Sequence, residues 1–304
     1  MIPAGRNVDA SALVSRITTL PTPGAVLQTI MATVESPDLN LDKLTNVVRH
    51  DPALAGRILR AANGHSGDFP LRISSINNAV SFLGCNRVRS LLLLSNRLAG
   101  ESPSPLPSFF TLERFWQHSV LVALIAGSIG RHLQRYDAPD EEELFTGGLL
   151  HDIGKLALAA GGGGNLEAAR LRSISESLPF YRAEHESPHT LVGALLMQEW
   201  RLPPELHKAA GGHHDPALGG NRLVAVIHIA DVMAHLMGYP VFPEETYPPV
   251  DVAALAALPL PPERLKLIAG DAIVKLRELE HFYGLTGLDT GAPPEALSLV
   301  SPPK

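Results

Sequence analysis

Histidine and aspartate carry the chemistry that can be read from this chain, because a polar side chain on an apolar helix face must find a partner or a metal once buried. The stripe Phe115, His118, Leu121, Val122, Ile125 and Ile129 recurs near the helical period and turns His118 inward. Further on, Gly147-Gly148-Leu149-Leu150-His151-Asp152-Ile153-Gly154-Lys155 sets an imidazole beside a carboxylate, between glycines that let neighbouring helices approach closely. His189 is followed by Gly193, His213 and His214 end a helical run, and Asp231 lies on the apolar face Leu223, Val224, Ile227, Ala230 and Ala234. Each has a plain structural alternative. An inward histidine is more often a hydrogen-bonded core residue, a buried aspartate can be half of a helix-to-helix ion pair, and the His-His pair can be a solvated turn among Gly211, Gly212, Asp215 and Pro216. Together they supply five imidazoles and two carboxylates, donor types that suit Fe, Mn, Zn or Ni.

The elements that must position these residues read as helices throughout. Val26, Ile30 and Val34 recur at helical spacing and the segment stops at Pro37. Leu41 to Arg49, Ala53 to Asn63, Ser75 to Leu83 and Asn86 to Leu98 repeat the pattern, with Asp51 as an N-cap and Pro52 in the first turn. A Pro/Ser stretch, Ser102 to Ser108, marks a boundary, and a second series follows: Thr111 to Leu133, Glu141 to Ala160, Leu166 to Leu178, Pro188 to Trp200, Pro203 to His213, and Asn221 to Met237. Gly161 to Gly164 reads as a flexible loop, and Pro262 to Phe282 as an amphipathic packing helix. The expectation is an all-α fold of two helical lobes, residues 1–101 and 109–240, with a helical extension at 241–290 and a frayed tail at 291–304.

Composition agrees. Of 304 residues, 45% are hydrophobic and only 5% aromatic, so the core must be built from aliphatic side chains, which suit packed helices. A net charge of −6 without a Lys/Arg cluster argues against duplex nucleic acid as a partner. No apolar run is long enough to cross a bilayer, the first residues lack a signal-peptide core, and the single Cys85 can form no internal disulfide; a cytoplasmic protein with no membrane partner is expected.

Leu20-Pro21-Thr22-Pro23, His50-Asp51-Pro52-Ala53-Leu54 with Arg60-Ala61-Ala62-Asn63, and Ile73-Ser74-Ser75-Ile76-Asn77-Asn78-Ala79 running to Leu83-Gly84 resemble the HDOD domain of the HD superfamily. The signature His151-Asp152-Ile153-Gly154-Lys155 belongs to the same resemblance, which runs from about Leu20 to Leu236. It implies that the second lobe is an HD-type helical bundle. By resemblance to metal-binding HD proteins, His118, His151, Asp152 and Asp231 match the ligands of a first metal. By resemblance to the HD-GYP phosphodiesterases, His189, His213 and His214 match those of a second, with Asp152 bridging and Lys155 near the phosphate. One or two divalent ions are implied, iron first and manganese, nickel or zinc after it.

The chain departs from the HD-GYP pattern where Asp215-Pro216-Ala217 follows His214, and its Gly238-Tyr239-Pro240, placed after Asp231, reads as a coincidental turn. His185, His228 and His235 read as surface or capping residues. Three functions stay open: a metal-dependent phosphohydrolase acting on a nucleotide or cyclic dinucleotide, a non-catalytic signalling module that binds a protein partner around a structural or vestigial metal, and a metal or redox sensor.

Overall fold

The computed structural model describes residues 9–17, 19–64, 72–99, 105–133, 139–184, 188–216, 221–244 and 248–285. Every element among them is a helix, as expected. The first half contains α1 (Ala10–Arg16), α2 (Gly24–Glu35), α3 (Leu41–Val48), α4 (Pro52–Gly64), α5 (Ile76–Leu83) and α6 (Cys85–Ala99). The second contains α7 (Leu112–Leu133), α8 (Glu141–Leu150), α9 (Ile153–Ala160), α10 (Gly164–Glu176), α11 (Phe180–Ala183), α12 (His189–Glu199), α13 (Pro204–Gly212) and α14 (Arg222–Leu236). After these come α15 (Val252–Ala256) and α16 (Pro262–Phe282). Three short helices, α1, α11 and α15, were not legible from periodicity; α1 and α15 are set instead by aspartate caps, with Asp9 accepting from the Ser11 N–H and Asp251 from the Ala254 N–H.

Caps also explain the motifs of the first half. Asp51 Oδ1 accepts the Leu54 N–H at 2.8 Å and the Thr22 hydroxyl at 3.0 Å, which ties the Leu20-Pro21-Thr22-Pro23 segment to the start of α4. Ser75 caps α5 by accepting from the Asn78 N–H. Asn63 holds the far end of α4, accepting from the Ile73 N–H and donating to the Ile73 and Leu59 carbonyls, all at 3.0 Å.

In the second half α7 packs along α8, α14 and α16, while α12 lies between α9 and α13. A connected apolar core runs through both halves, from Val26 and Ile30 in α2 to Leu276 in α16. α1 packs on α12, so the start of the described chain is attached to the second half.

Two expectations need correction. The helix expected from Glu141 to Ala160 breaks at His151-Asp152, where Asp152 takes φ −99° and ψ 13°, the bridge region in which many active-site residues sit. The Gly161 to Gly164 run is more than a loose loop: a Cβ at Gly161 would meet Leu13 of α1 at 2.4 Å, and Gly163 is a left-handed N-cap against Pro107. Of the expected boundary, residues 102–104 lie outside the described residues, as does the 291–304 tail; Leu106 and Phe110 pack on the core.

Candidate metal centre

All seven ligand candidates meet inside the second half. His118 comes from α7, His151 and Asp152 from the break between α8 and α9, His189 from the first residue of α12, His213 and His214 from the end of α13, and Asp231 from α14. Glycines make this convergence possible. A Cβ at Gly148 would lie 3.0 Å from the Ala123 Cα, so α8 seats directly on α7. A Cβ at Gly154 would fall 1.9 Å from the His189 carbonyl oxygen and 2.7 Å from the Gly193 nitrogen, so α9 and α12 touch backbone to backbone.

The two oxygens of Asp152 face two different sets of nitrogens. Oδ2 lies 3.5 Å from both His118 Nε2 and His151 Nε2, and Asp231 Oδ1 closes that set at 3.3 and 3.8 Å from the same nitrogens. Oδ1 lies 3.2 Å from His189 Nε2 and 3.6 Å from His213 Nε2, and His214 Nε2 stands 3.2 Å from His189 Nε2. Donors about 2.1 Å from one tetrahedral ion stand about 3.4 Å apart, the spacing seen in both sets.

The opposite edges of the rings fix their direction. His118 Nδ1 donates to the Tyr239 carbonyl at 2.7 Å, His151 Nδ1 to the Gly148 carbonyl at 2.7 Å, and His213 Nδ1 to the Ala210 carbonyl at 3.0 Å. His189 Nδ1 donates to Glu184 Oε2 at 2.5 Å, and Glu184 Oε1 accepts the His189 N–H at 2.9 Å. With Nδ1 protonated and the ring neutral, Nε2 carries its lone pair into the centre. These nitrogens face one another: His118 Nε2 and His151 Nε2 are 3.3 Å apart, His189 Nε2 and His213 Nε2 3.4 Å.

Residues 20–216 match the HDOD domain family. The chain belongs to the HDOD family. Among solved structures, this HDOD protein shares its fold with the MmoQ response regulator of Methylococcus capsulatus str. Bath at 26% identity and a TM-score of 0.66, over 84% of this chain and 99% of that one. An HDOD domain protein of unknown function from Geobacter sulfurreducens is 24% identical with a TM-score of 0.51, covering 90% of this chain and 96% of its own. A virulence factor of Campylobacter jejuni subsp. jejuni has the same fold at 14% identity, TM-score 0.58, over 95% and 98% of the two chains. No curated protein matches. An HDOD protein of signalling type, with a buried His/Asp cluster that could hold a metal, is therefore the description the sequence and fold support.

Charge in the HDOD centre matches that cluster. Burial alone would raise the Asp152 carboxyl, but Lys155, whose Nζ is 3.0 Å from Oδ2, together with the surrounding imidazoles, holds it well below the usual range. Burial works the same way on Asp231, and the charge of His235 and hydrogen bonds from His118 and His151 again outweigh it. Burial lowers His118, His213, to about 4, and His214, which keeps these rings neutral as ligands must be. His189 differs: burial would lower it, but Glu184 and Asp152 outweigh burial and raise it to about 9. The carboxylates of Asp152 and Asp231 are fully buried, and apart from Lys155 beside Asp152 and His235 beside Asp231, both at 3.0 Å, they face imidazole nitrogens at 3.2 to 3.9 Å, an expensive arrangement that a divalent cation would relieve.

Several participants were missed in sequence. Tyr239 belongs to the Gly238-Tyr239-Pro240 turn read as coincidental, yet its carbonyl orients His118; Gly238 at φ 81° makes that turn. Glu184 gave no signal beyond lying five residues before His189. His228 and His235 are buried rather than at the surface: His228 donates to the His213 carbonyl at 2.7 Å and accepts the Asp251 N–H at 3.0 Å, and His235 Nδ1 lies 3.0 Å from Asp231 Oδ1. His185 lies outside the described residues. Lys155 is buried, with Nζ 5.3 Å from the Phe180 ring centre and 5.9 Å from that of Phe242. Exposure is concentrated at His214, whose side chain is 9% exposed and stacks on Tyr181 at 4.4 Å.

Proposed function

We propose that this HDOD protein binds two divalent transition metals, iron before manganese, nickel or zinc, and uses them to hydrolyse a phosphodiester or nucleotide within a bacterial signalling pathway. The division of the Asp152 carboxylate between two sets of imidazoles carries the reading. His118, His151, Asp152 and Asp231 would hold one ion, and Asp152, His189, His213 and His214 the other. Such a pair supplies Lewis acidity toward phosphoryl oxygens and lowers the pKa of water toward neutrality. Lys155 would neutralise a phosphoryl oxygen in a site dry enough to strengthen the attraction, and Glu184 would keep His189 aimed. Substrate would enter beside His214, where Tyr181, Arg182, Thr190, His228 and Asp251 line a cavity of about 600 Å³.

The burial of Lys155 and of every ligand except His214 favours a second reading, a non-catalytic module whose metal braces a partner-binding surface. Metal analysis of protein purified without added metal, followed by assays on a bis-aryl phosphate and on cyclic dinucleotides, separates the two. In an enzyme, Asp152→Ala removes metal and turnover together, whereas Lys155→Ala lowers turnover with metal content unchanged. Protein loaded in turn with Fe, Mn, Ni and Zn that hydrolyses none of these would leave the partner-binding reading.

A further inference from the structure

Away from the metal centre, three guanidinium groups gather where α4, α6 and the end of α12 meet. Arg57 and Arg60 of α4 and Arg201, just beyond α12, line a cavity of about 600 Å³ together with Thr19, Leu91, Leu94, Glu199 and Trp200. Close docking puts them there: a Cβ at Gly56 would lie 2.5 Å from the Trp200 ring, so α4 presses against that tryptophan. The chain as a whole carries −6, yet this lining holds three cations to one anion.

The three differ in exposure, Arg60 and Arg201 being exposed to solvent and Arg57 partly buried. Arg57 is half-buried and anchored, its Nη1 donating to the Ser95 hydroxyl at 2.6 Å, which in turn donates to the Leu91 carbonyl at 2.8 Å. Burial and the neighbouring charge of Arg60 both push Arg57 below its ordinary value. None of the three arginines forms an ion pair among the described residues, with Glu199 or any other carboxylate. Arg201 adds a second observation, since it sits at φ 58°, in the left-handed region. It ends α12 in a helix-closing turn: its N–H donates to the Gln198 carbonyl and the Leu202 N–H to that of Met197, both at 2.9 Å. Glycine is the residue that adopts this conformation without strain. An arginine there carries the strain and gains no side-chain bond for it within the described chain.

We infer that this cavity binds a phosphorylated small molecule of nucleotide size, at a site separate from the metal centre. Guanidinium forks match phosphoryl oxygens two bonds at a time, the volume lies within the usual range for such ligands, and Leu91, Leu94 and Trp200 offer an apolar wall to the rest of the molecule. The ten-residue rise of α12 from His189 to Glu199 separates the two sites by about 15 Å.

Pyrophosphate and adenosine diphosphate are the probes, read by calorimetry and by Trp200 fluorescence in a Trp116→Phe background. Both should bind, the nucleotide more tightly. In metal-free protein, where the ion centre offers no competing phosphate site, Arg60→Ala and Arg201→Gly should each weaken binding tenfold or more, while Asp152→Ala changes it less than twofold. Because glycine suits the Arg201 backbone, Arg201→Gly should keep or raise the Tm, so its lost affinity cannot be laid to misfolding. The proposal is overturned if neither probe binds at millimolar concentration, if binding survives both arginine substitutions, or if only Asp152→Ala abolishes it.

Discussion

The polar residues buried in the two halves of the molecule are used in opposite ways. In the first half, Asp51, Asn63 and Ser75 each meet a backbone group that needs a partner: a helix-start N–H, or the amide and carbonyl of Ile73. In the second half, the Nε2 atoms of His118, His151, His189 and His213 face carboxylate oxygens and one another, while the far side of each ring meets a backbone carbonyl or, for His189, the Glu184 carboxylate. A polar motif that closes its own bonds is a brace. One that leaves acceptors pointing at acceptors could hold a positive ion, and this difference separates the Leu-Pro-Thr-Pro and His-Asp-Pro segments from His151-Asp152.

The sharpest way to break that contrast is to strip whatever metal the purified protein carries. Chelation should lower the Tm by about 10 °C, the shift expected for a ligand present at about a thousand times its Kd; differential scanning fluorimetry with and without chelator checks this. Asp152→Ala should reproduce the loss and abolish any response to added metal, and an unchanged metal content by mass spectrometry would count against the bridging role. Asn63→Ala should cost about 2–3 kcal/mol by leaving the Ile73 backbone unpaired, with metal content unaltered. Denaturant unfolding measures it, and metal loss in that variant would blur the division between the halves.

Acidity gives a smaller effect in the first half. Burial raises the Asp51 carboxyl to about 6, above its value in an unfolded chain, so its contribution to stability is complete below about pH 4 and fades as pH rises through 6. His50 runs the other way: burial lowers it to about 3, so its contribution is present above about pH 6.5 and lost as pH falls toward 3. Comparing wild type with Asp51→Asn isolates the aspartate, and the advantage of the asparagine variant should grow by about 2 kcal/mol between pH 4 and pH 7.5. The smallest effect belongs to the surface: Lys275→Ala breaks the exposed pair with Glu278 and should change stability by less than about 0.5 kcal/mol.

Sequence picked out the candidate ligands better than it picked out what aims them. The seven His and Asp residues stood out because an ionisable group on an apolar stripe is conspicuous, and the long helix Pro262–Phe282 was read to its ends because its apolar face is regular. The Tyr239 carbonyl could not be found this way, because any residue offers a carbonyl and only the path of the chain brings this one to His118. Glu184 was hidden for a related reason, as it looks like one more acid before a helix until folding sets it against His189. The break at His151-Asp152 went unseen because apolar residues continue across it on both sides, so periodicity has nothing to register.

The contact of Gly154 with the His189 carbonyl and the Gly193 nitrogen makes the spacing across the centre a main-chain dimension. Side chains elsewhere can grow, shrink or repack without altering it, much as a gauge block holds a gap whatever is later fitted there. Such a gauge does not depend on the imidazoles. A descendant of this chain that replaced His189 or His214 would inherit the same gap with fewer donors around Asp152 Oδ1, so loss of an ion and loss of shape can be separate events in its history.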